Sequence, residues 1–106
     1  MTEKIPSVHS KPRIFKYNLG YIDRGILNAT IEGPEFISMV DVQEQGDHLV
    51  MWAVVDTIWM GARTTIELYS AYTGDPPPGE GWTYLKTIQS QFDDLVYHLY
   101  WKVKSN

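Results

Sequence analysis

No cysteine occurs anywhere in the 106 residues. That excludes a disulfide framework, a thiolate nucleophile and a cysteine-based zinc ribbon, and it suits a reducing cytoplasm. No stretch approaches the ~18 apolar residues of a membrane-spanning helix. The opening "MTEKIPSVHSKPR" has no apolar core of the kind a secretory leader carries. A basic excess is missing as well: nine Lys and Arg stand against thirteen Asp and Glu, for a net charge of −4 and a pI near 5.2. A nucleic-acid footprint would show clustered Lys and Arg, so neither nucleic acid nor membrane is expected as a partner.

What is abundant is aromatic: four Trp, seven Tyr and three Phe. A chain of this length holds one core and buries roughly two-thirds of its unfolded surface. A flexible polar tail is expected over residues 1–12 and a single β-rich domain over residues 13–106. "RIFKYNL" sets Phe15, Tyr17 and Leu19 against Lys16 and Asn18, the two-residue period of a half-buried strand. "ILNATIEG" alternates likewise, with Leu27, Ala29 and Ile31 opposite Asn28, Thr30 and Glu32, until Gly33-Pro34 ends it. "FISMVDVQ" and "HLVMWAVVD" flank "EQGD" as a hairpin. Strict alternation in its first arm puts Phe36, Val40 and Val42 on one face and Ile37, Met39 and Asp41 on the other. The second arm is apolar on both faces and reads as a central strand. "TTIELYSAY" follows, with Ile66 and Leu68 on one face.

"TGDPPPGEG" is a loop that its prolines stiffen. Beyond it, "WTYLKTIQ" and "LVYHLYWKV" read as strands from their Thr, Val, Ile, Tyr and Trp content. The competing reading is a helix, with Leu85, Ile88, Phe92, Leu95 and Leu99 as its apolar stripe. The expected fold is therefore all-β: about six antiparallel strands in a single curved sheet or small barrel. The alternative is α+β with a C-terminal helix.

The succession "RIFKYNL", "ISMVDVQ", "MWAVVD", "ELYSAYTGDP", "YLKTIQ" and "LVYHLY" resembles a family of short phage and bacterial proteins, the domain of unknown function DUF7352. The resemblance spans roughly Arg13 to Tyr100. Its landmarks here are Trp52-Ala53, Val55-Asp56, Thr73-Gly74, Gln89 and His98. It implies a compact β-rich fold and a phage or prophage setting, hence the host cytoplasm, and it brings no catalytic residues. The chain departs from the pattern after Val55-Asp56, where a polar connector is expected and "TIWMGA" stands instead.

Chemistry-bearing groups are sparse. His9 falls in the tail, and His48 beside Asp47 reads as a solvated turn, because neighbours on a strand face opposite ways. His98 follows Asp93 and Asp94, a start for acid–base chemistry, yet no nucleophile, phosphate cradle or zinc spacing accompanies it. No enzyme activity, metal or cofactor is expected. Asp56 reads as a turn-starter that caps the next amides. Trp52 and Tyr97, inside strands, are expected in the core. Around the proline loop, Arg63, Tyr72, Trp82, Tyr84 and Lys86 define a possible pocket for a planar, nucleotide-like ligand; a packed, rigid loop is the simpler reading.

Ile58, Trp59 and Met60 stand in a row where a polar turn belongs. Trp and Met are enriched in interface cores, so these three are the expected contact with a partner or a second copy of the chain. The functional expectation is a small non-enzymatic accessory protein of phage type. It would act by binding, as a homo-oligomer or on a host protein or bacterial defence system. The alternatives are a protein that sequesters a nucleotide-like signal, and a minor virion component.

Overall fold

The computed structural model describes residues 10–104. The expected tail lies outside the described residues as far as His9. Of its remainder, Ser10 and Lys11 are bonded to Asp56, and Pro12 opens the first strand.

Seven antiparallel strands are present among the described residues and no helix: β1 (Pro12–Tyr21), β2 (Gly25–Gly33), β3 (Glu35–Gln45), β4 (His48–Asp56), β5 (Ala62–Tyr72), β6 (Thr83–Gln89) and β7 (Val96–Val103). They form two sheets, ordered β1-β4-β3 and β2-β5-β7-β6. The single curved sheet or barrel is thereby corrected to an open two-sheet sandwich. The α+β alternative is excluded by the β6–β7 pairing, in which Ile88 faces Tyr97 and Tyr84 faces Tyr100. The chain crosses between sheets three times, at residues 22–24, at Gly33-Pro34 and at residues 57–61. Gly33 takes a φ of +106° at its crossing, a conformation that costs glycine little.

Side-chain alternation fills the core. Leu27, Ala29 and Ile31 of β2, Ile66 and Leu68 of β5, and Tyr97 and Leu99 of β7 meet Leu49, Met51, Ala53 and Val55 of β4 in one apolar cluster. Burying a side chain of Leu or Ile size contributes roughly 1.5–3 kcal/mol. β4 is the central strand of its sheet, as its composition predicts. Its outer face is only partly covered, and there Trp52 is half-buried beneath the Lys16 ammonium, 5.9 Å from the ring centroid. Trp52 is thus an outer-face residue rather than a core one, whereas Tyr97 is buried as expected.

β3 breaks the two-residue period. Phe36, Met39 and Val42 face Val55, Ala53 and Met51, so its inward residues recur every third position. Bulges at Ile37 and Val40 supply the extra residues, and both side chains are about half exposed. Bulges on an edge strand also discourage sheet-to-sheet aggregation.

The proline loop is a crossover. β5 and β6 both run antiparallel to β7, which lies between them, so residues 73–82 must cross over β7 and run back from the level of Tyr97, opposite Tyr72, to that of Trp101, opposite Thr83. That is a shift of four residues along β7, roughly 13 Å, and this strap begins in a turn that the Asp75 amide closes on the Tyr72 carbonyl at 3.0 Å. Tyr69 pins it by donating to the Pro76 carbonyl at 3.2 Å, and Trp82 closes on the Tyr69 ring at 5.8 Å.

The two sheets are joined at one side by Lys86. Its ammonium donates to Asp41 Oδ1 at 2.8 Å and to the Val42 carbonyl at 2.9 Å. Partial burial pushes the Asp41 carboxyl up. Hydrogen bonds from Lys86, Gln43 and the Val42 amide, with the Lys86 charge, outweigh it and leave the pKa below its ordinary 3.8. A depressed folded-state pKa gives stability that is present above pH ~4 and lost as pH falls through the folded value. Lys86→Met is expected to cost about 1 kcal/mol at pH 7 and less at pH 3. Urea melts at the two pH values check this.

Candidate functional site

Residues 57–61 carry the chain from β4 to β5 at one end of the sandwich. The root of this connection is fixed. Asp56 Oδ1 accepts from the Ile58 amide at 2.9 Å and the Lys11 amide at 3.1 Å, while Oδ2 accepts from Ser10 Oγ at 2.6 Å. Asp56 therefore caps the turn as its position predicts, and also clamps the entry of β1. The Thr57 amide and hydroxyl both donate to the Lys11 carbonyl, at 3.0 and 2.9 Å.

Beyond this root the side chains turn outward. Ile58, Trp59 and Met60 retain 48%, 64% and 57% of their exposure. Two glycines shape the tip. A Cβ on Gly61 would fall 2.4 Å from the Trp59 ring, and one on Gly33 would fall 2.9 Å from Met60 Cε. The indole therefore lies on the Gly61 backbone and the thioether on Gly33, so both are set in place without being buried. Gly61 needs no unusual φ, so Gly61→Ala would act through the ring alone. It is expected to displace Trp59 and weaken any contact the tip makes several-fold, with a melting temperature within about 5 °C of wild type. Thermal melts paired with binding measurements check it.

On the outer face of β1-β4-β3, Ile14 on β1 stands opposite Val54, across β4 from the bulge at Ile37, and Ile14 is 62% exposed. Next to Met60 and Gly33, Arg63 pairs with Glu32 at 3.3 Å. It opens a notch of about 470 Å³ shared with Thr64, Thr65, Val103 and Lys104. The notch lies where β7 ends at Val103, opposite Ile66, with the Lys104 amide donating to the Thr65 carbonyl at 2.8 Å.

The residues expected to form a ligand pocket are not gathered in one place. Trp82 and Tyr84 lie on the outer face of the four-stranded sheet, where Tyr84 meets Tyr100 at 5.5 Å and Trp82 carries the Lys102 ammonium at 4.7 Å. Tyr72 points the other way, against buried Tyr97 at 5.2 Å. Arg63 belongs to the notch at the tip end. Lys86 is turned to the sandwich margin by the bulge after Tyr84 and is held by Asp41. The strap itself is largely exposed, and an open groove of about 280 Å³ lies beside it, lined in part by Thr73, Pro77, His98 and Tyr100.

His98 is held by two hydroxyls: Thr73 Oγ1 at 2.8 Å from Nε2 and Thr87 Oγ1 at 2.9 Å from Nδ1. Thr87 also bonds the Tyr84 hydroxyl at 2.7 Å. Asp93 does not orient this histidine. It accepts from the Tyr97 hydroxyl and from the Leu95 amide instead. Burial raises the Asp93 carboxyl, but bonds from Tyr97, Leu95 and Ser90 more than offset it and leave it lowered. Burial, then the Asp93 carboxylate, push the Tyr97 hydroxyl well above its ordinary 10.0. His48 Nδ1 lies 2.6 Å from Asp47 Oδ1, under the Tyr21 ring. Among the described residues no three His, Asp or Glu side chains converge as metal ligands, and no helix is long and apolar enough to cross a membrane.

These features define a class: an open antiparallel β-sandwich whose most exposed large apolar side chains include a row on a cross-sheet connection. A family model described as a domain of unknown function, DUF7352, matches residues 10–106, and the chain belongs to that family. No curated protein and no solved structure matches it.

Proposed function

We propose that this chain is a non-enzymatic binding module whose contact surface is the 57–61 connection, with Trp59 as anchor and Ile58 and Met60 as flanks. The observation that carries the reading is a large apolar row held outward by its own backbone. Asp56 fixes its root, and Gly61 and Gly33 seat its side chains. Exposed apolar patches of this kind mark contact sites, and Trp is the residue most often found at the energetic centre of an interface. In this reading the protein is a phage-type accessory protein of the cytoplasm, acting as a homo-oligomer or on a host protein or defence system.

The sequestering alternative is less well supported. A nucleotide-like ligand needs cations and stacking rings around one cavity, and Arg63, Lys86, Tyr72 and Tyr84 lie on different faces. A virion component would use the same surface, so that alternative differs in partner and not in site.

Mass measurement and capture from host lysate, each with wild type and Trp59→Ala, test the reading. Loss of the oligomer or of a captured partner in the variant supports it, and identical behaviour of the two proteins removes it.

A further inference from the structure

We propose that the groove beside His98 is a second binding site, and that its ligand is neutral and hydroxylated: one sugar residue. The groove lies on the outer face of the four-stranded sheet, away from residues 57–61, and is independent of the contact proposed there.

The walls of the groove are set in advance. Its floor is low because Ala71, opposite His98 in the β5–β7 register, is small and 3% exposed. On the other side the strap leaves β5 at Thr73 and turns at once. Gly74 takes a φ of +100°, and Asp75 Oδ2 accepts from the Tyr72 amide at 2.9 Å. The bond from Tyr69 to the Pro76 carbonyl fixes the neighbouring Pro77 at the groove's edge. The Tyr100 ring is braced by Tyr69 at 6.3 Å and by Tyr84 at 5.5 Å. A proline and a tyrosine thus offer apolar faces that need little further ordering when a ligand arrives.

Hydrogen bonding selects the kind of ligand. Thr73, His98, Thr87 and Tyr84 form one continuous chain of bonds, and every member can both donate and accept. With the proton on Nε2, His98 donates to Thr73, Thr87 donates to Nδ1 and Tyr84 donates to Thr87. The Thr73 hydroxyl is then left to donate into the groove. With the proton on Nδ1 each of these bonds reverses, and Thr73 presents a lone pair instead. Asp93, the carboxylate that could have fixed the direction, is committed to Tyr97 and the Leu95 amide. A chain that can end as donor or as acceptor matches a partner that is itself both, and a hydroxyl group is such a partner.

Charge argues against ionic ligands. Among the described residues lining the groove only Asp75 is charged. Its oxygens are engaged by Arg24 at 3.3 Å and by the Tyr72 amide, and Arg24 lies over the Tyr72 ring, 5.2 Å from its centroid. A phosphate or carboxylate would enter without a cation in the lining to meet it, and an ion removed from water unpaired is costly. A sugar needs no such partner: its hydroxyls bond to Thr73, and its C–H faces lie against Tyr100 and Pro77. The volume of about 280 Å³ is at the small end of ligand pockets, roughly 300–1,000 Å³, and suits a single ring. An adjoining hollow of about 410 Å³ shares Tyr72 and Thr73 and continues past Asp94 and Leu95. The ring is therefore a free monosaccharide or one unit of a longer glycan.

The test follows the NMR signals of Thr73, His98 and Tyr100 during titration with glucose, galactose, mannose and N-acetylglucosamine to millimolar excess, with inorganic phosphate as the ionic control. At least one sugar is expected to move all three residues' signals in a saturable way. Thr73→Val keeps the shape of the side chain and removes the hydroxyl. It should weaken that sugar about fivefold, and Thr73→Ser should restore it; thermal melts confirm that both variants fold. Trp59→Ala should bind the sugar as wild type does, so failure of this site and failure of the 57–61 contact are read separately. The trisaccharide of the sugar that binds is then titrated: equal or tighter binding supports a glycan unit as ligand, and exclusion supports the free sugar. Three results overturn the proposal: no saturable shift with any of the four sugars, an affinity unchanged in Thr73→Val, or larger shifts with phosphate than with sugar.

Discussion

Trp59→Ala is expected to weaken association at least ~30-fold, about 2 kcal/mol, while moving the melting temperature by no more than about 2 °C. The two halves of that expectation have separate causes. The indole is 64% exposed and is absent from the apolar core, so its loss leaves the packing between the sheets intact. The ring lies against the Gly61 backbone, which loses a covering ring and nothing that holds the fold. In a complex the same ring would be desolvated over its whole face, and a rigid aromatic loses little side-chain entropy on being fixed. A variant that lost stability and association together would show the tip to be part of the core. Calorimetry and titration on the same samples separate the two.

Tyr97→Ala is expected to cost ~3–5 kcal/mol, lowering the melting temperature by roughly 15–30 °C. That is a large share of the 5–15 kcal/mol typical of a domain. Tyr97 is 1% exposed, packs edge-on to Tyr72 at 5.2 Å and donates to Asp93 across the 90–95 turn. Tyr97→Phe keeps the ring and removes only the hydroxyl. Because Asp93 still accepts from the Leu95 amide at 3.1 Å, about 1 kcal/mol is expected.

The pH dependence then identifies the bond. The Tyr97 pKa is raised on folding, so its contribution is complete below pH ~10 and is lost as pH rises beyond that. The Asp93 pKa is lowered, so its contribution is complete above pH ~4 and is lost as pH falls. Tyr97→Phe should flatten the alkaline limb of the stability profile that wild type shows. An alkaline limb identical in the two proteins would mean that the hydroxyl is not held as described.

The strands were legible in the sequence wherever one residue determines the face of the next. β2 and β5 alternate without interruption through Leu27, Ala29 and Ile31 and through Ile66 and Leu68, and β1 does so through Phe15 and Tyr17 as far as an irregularity at Leu19. The C-terminal hairpin was legible from residue type. β3 was not, because bulges at Ile37 and Val40 each insert a residue and reverse the parity of everything after them. The split into two sheets was hidden for a different reason. β1 pairs with β4 and β2 with β5, choices made by long-range packing that no local pattern records.

The candidate site shows the same division. Ile58, Trp59 and Met60 stood out because three apolar residues at a connection violate a local rule, and all three are exposed. The pocket residues were grouped by their nearness to the proline loop along the chain. Tyr72 and Lys86 left that group through facts of register: Tyr72 lies on the inner face, and the bulge after Tyr84 brings Lys86 opposite Leu99. The strap's role as a crossover likewise follows only once β7 is known to lie between β5 and β6.

The measurement closest to the central claim is the indole N–H resonance of Trp59, assigned by its disappearance in Trp59→Phe and followed as concentration is raised. Four tryptophans give four such signals, and the other three serve as internal references: Trp52 lies beneath Lys16, Trp82 beneath Lys102, and Trp101 packs on Phe36 at 5.9 Å. The account predicts that the Trp59 signal shifts or broadens first and most, with the Met60 methyl, over the concentrations at which the mass rises above 12.2 kDa. A Trp59 signal that stays fixed while the mass rises would contradict it.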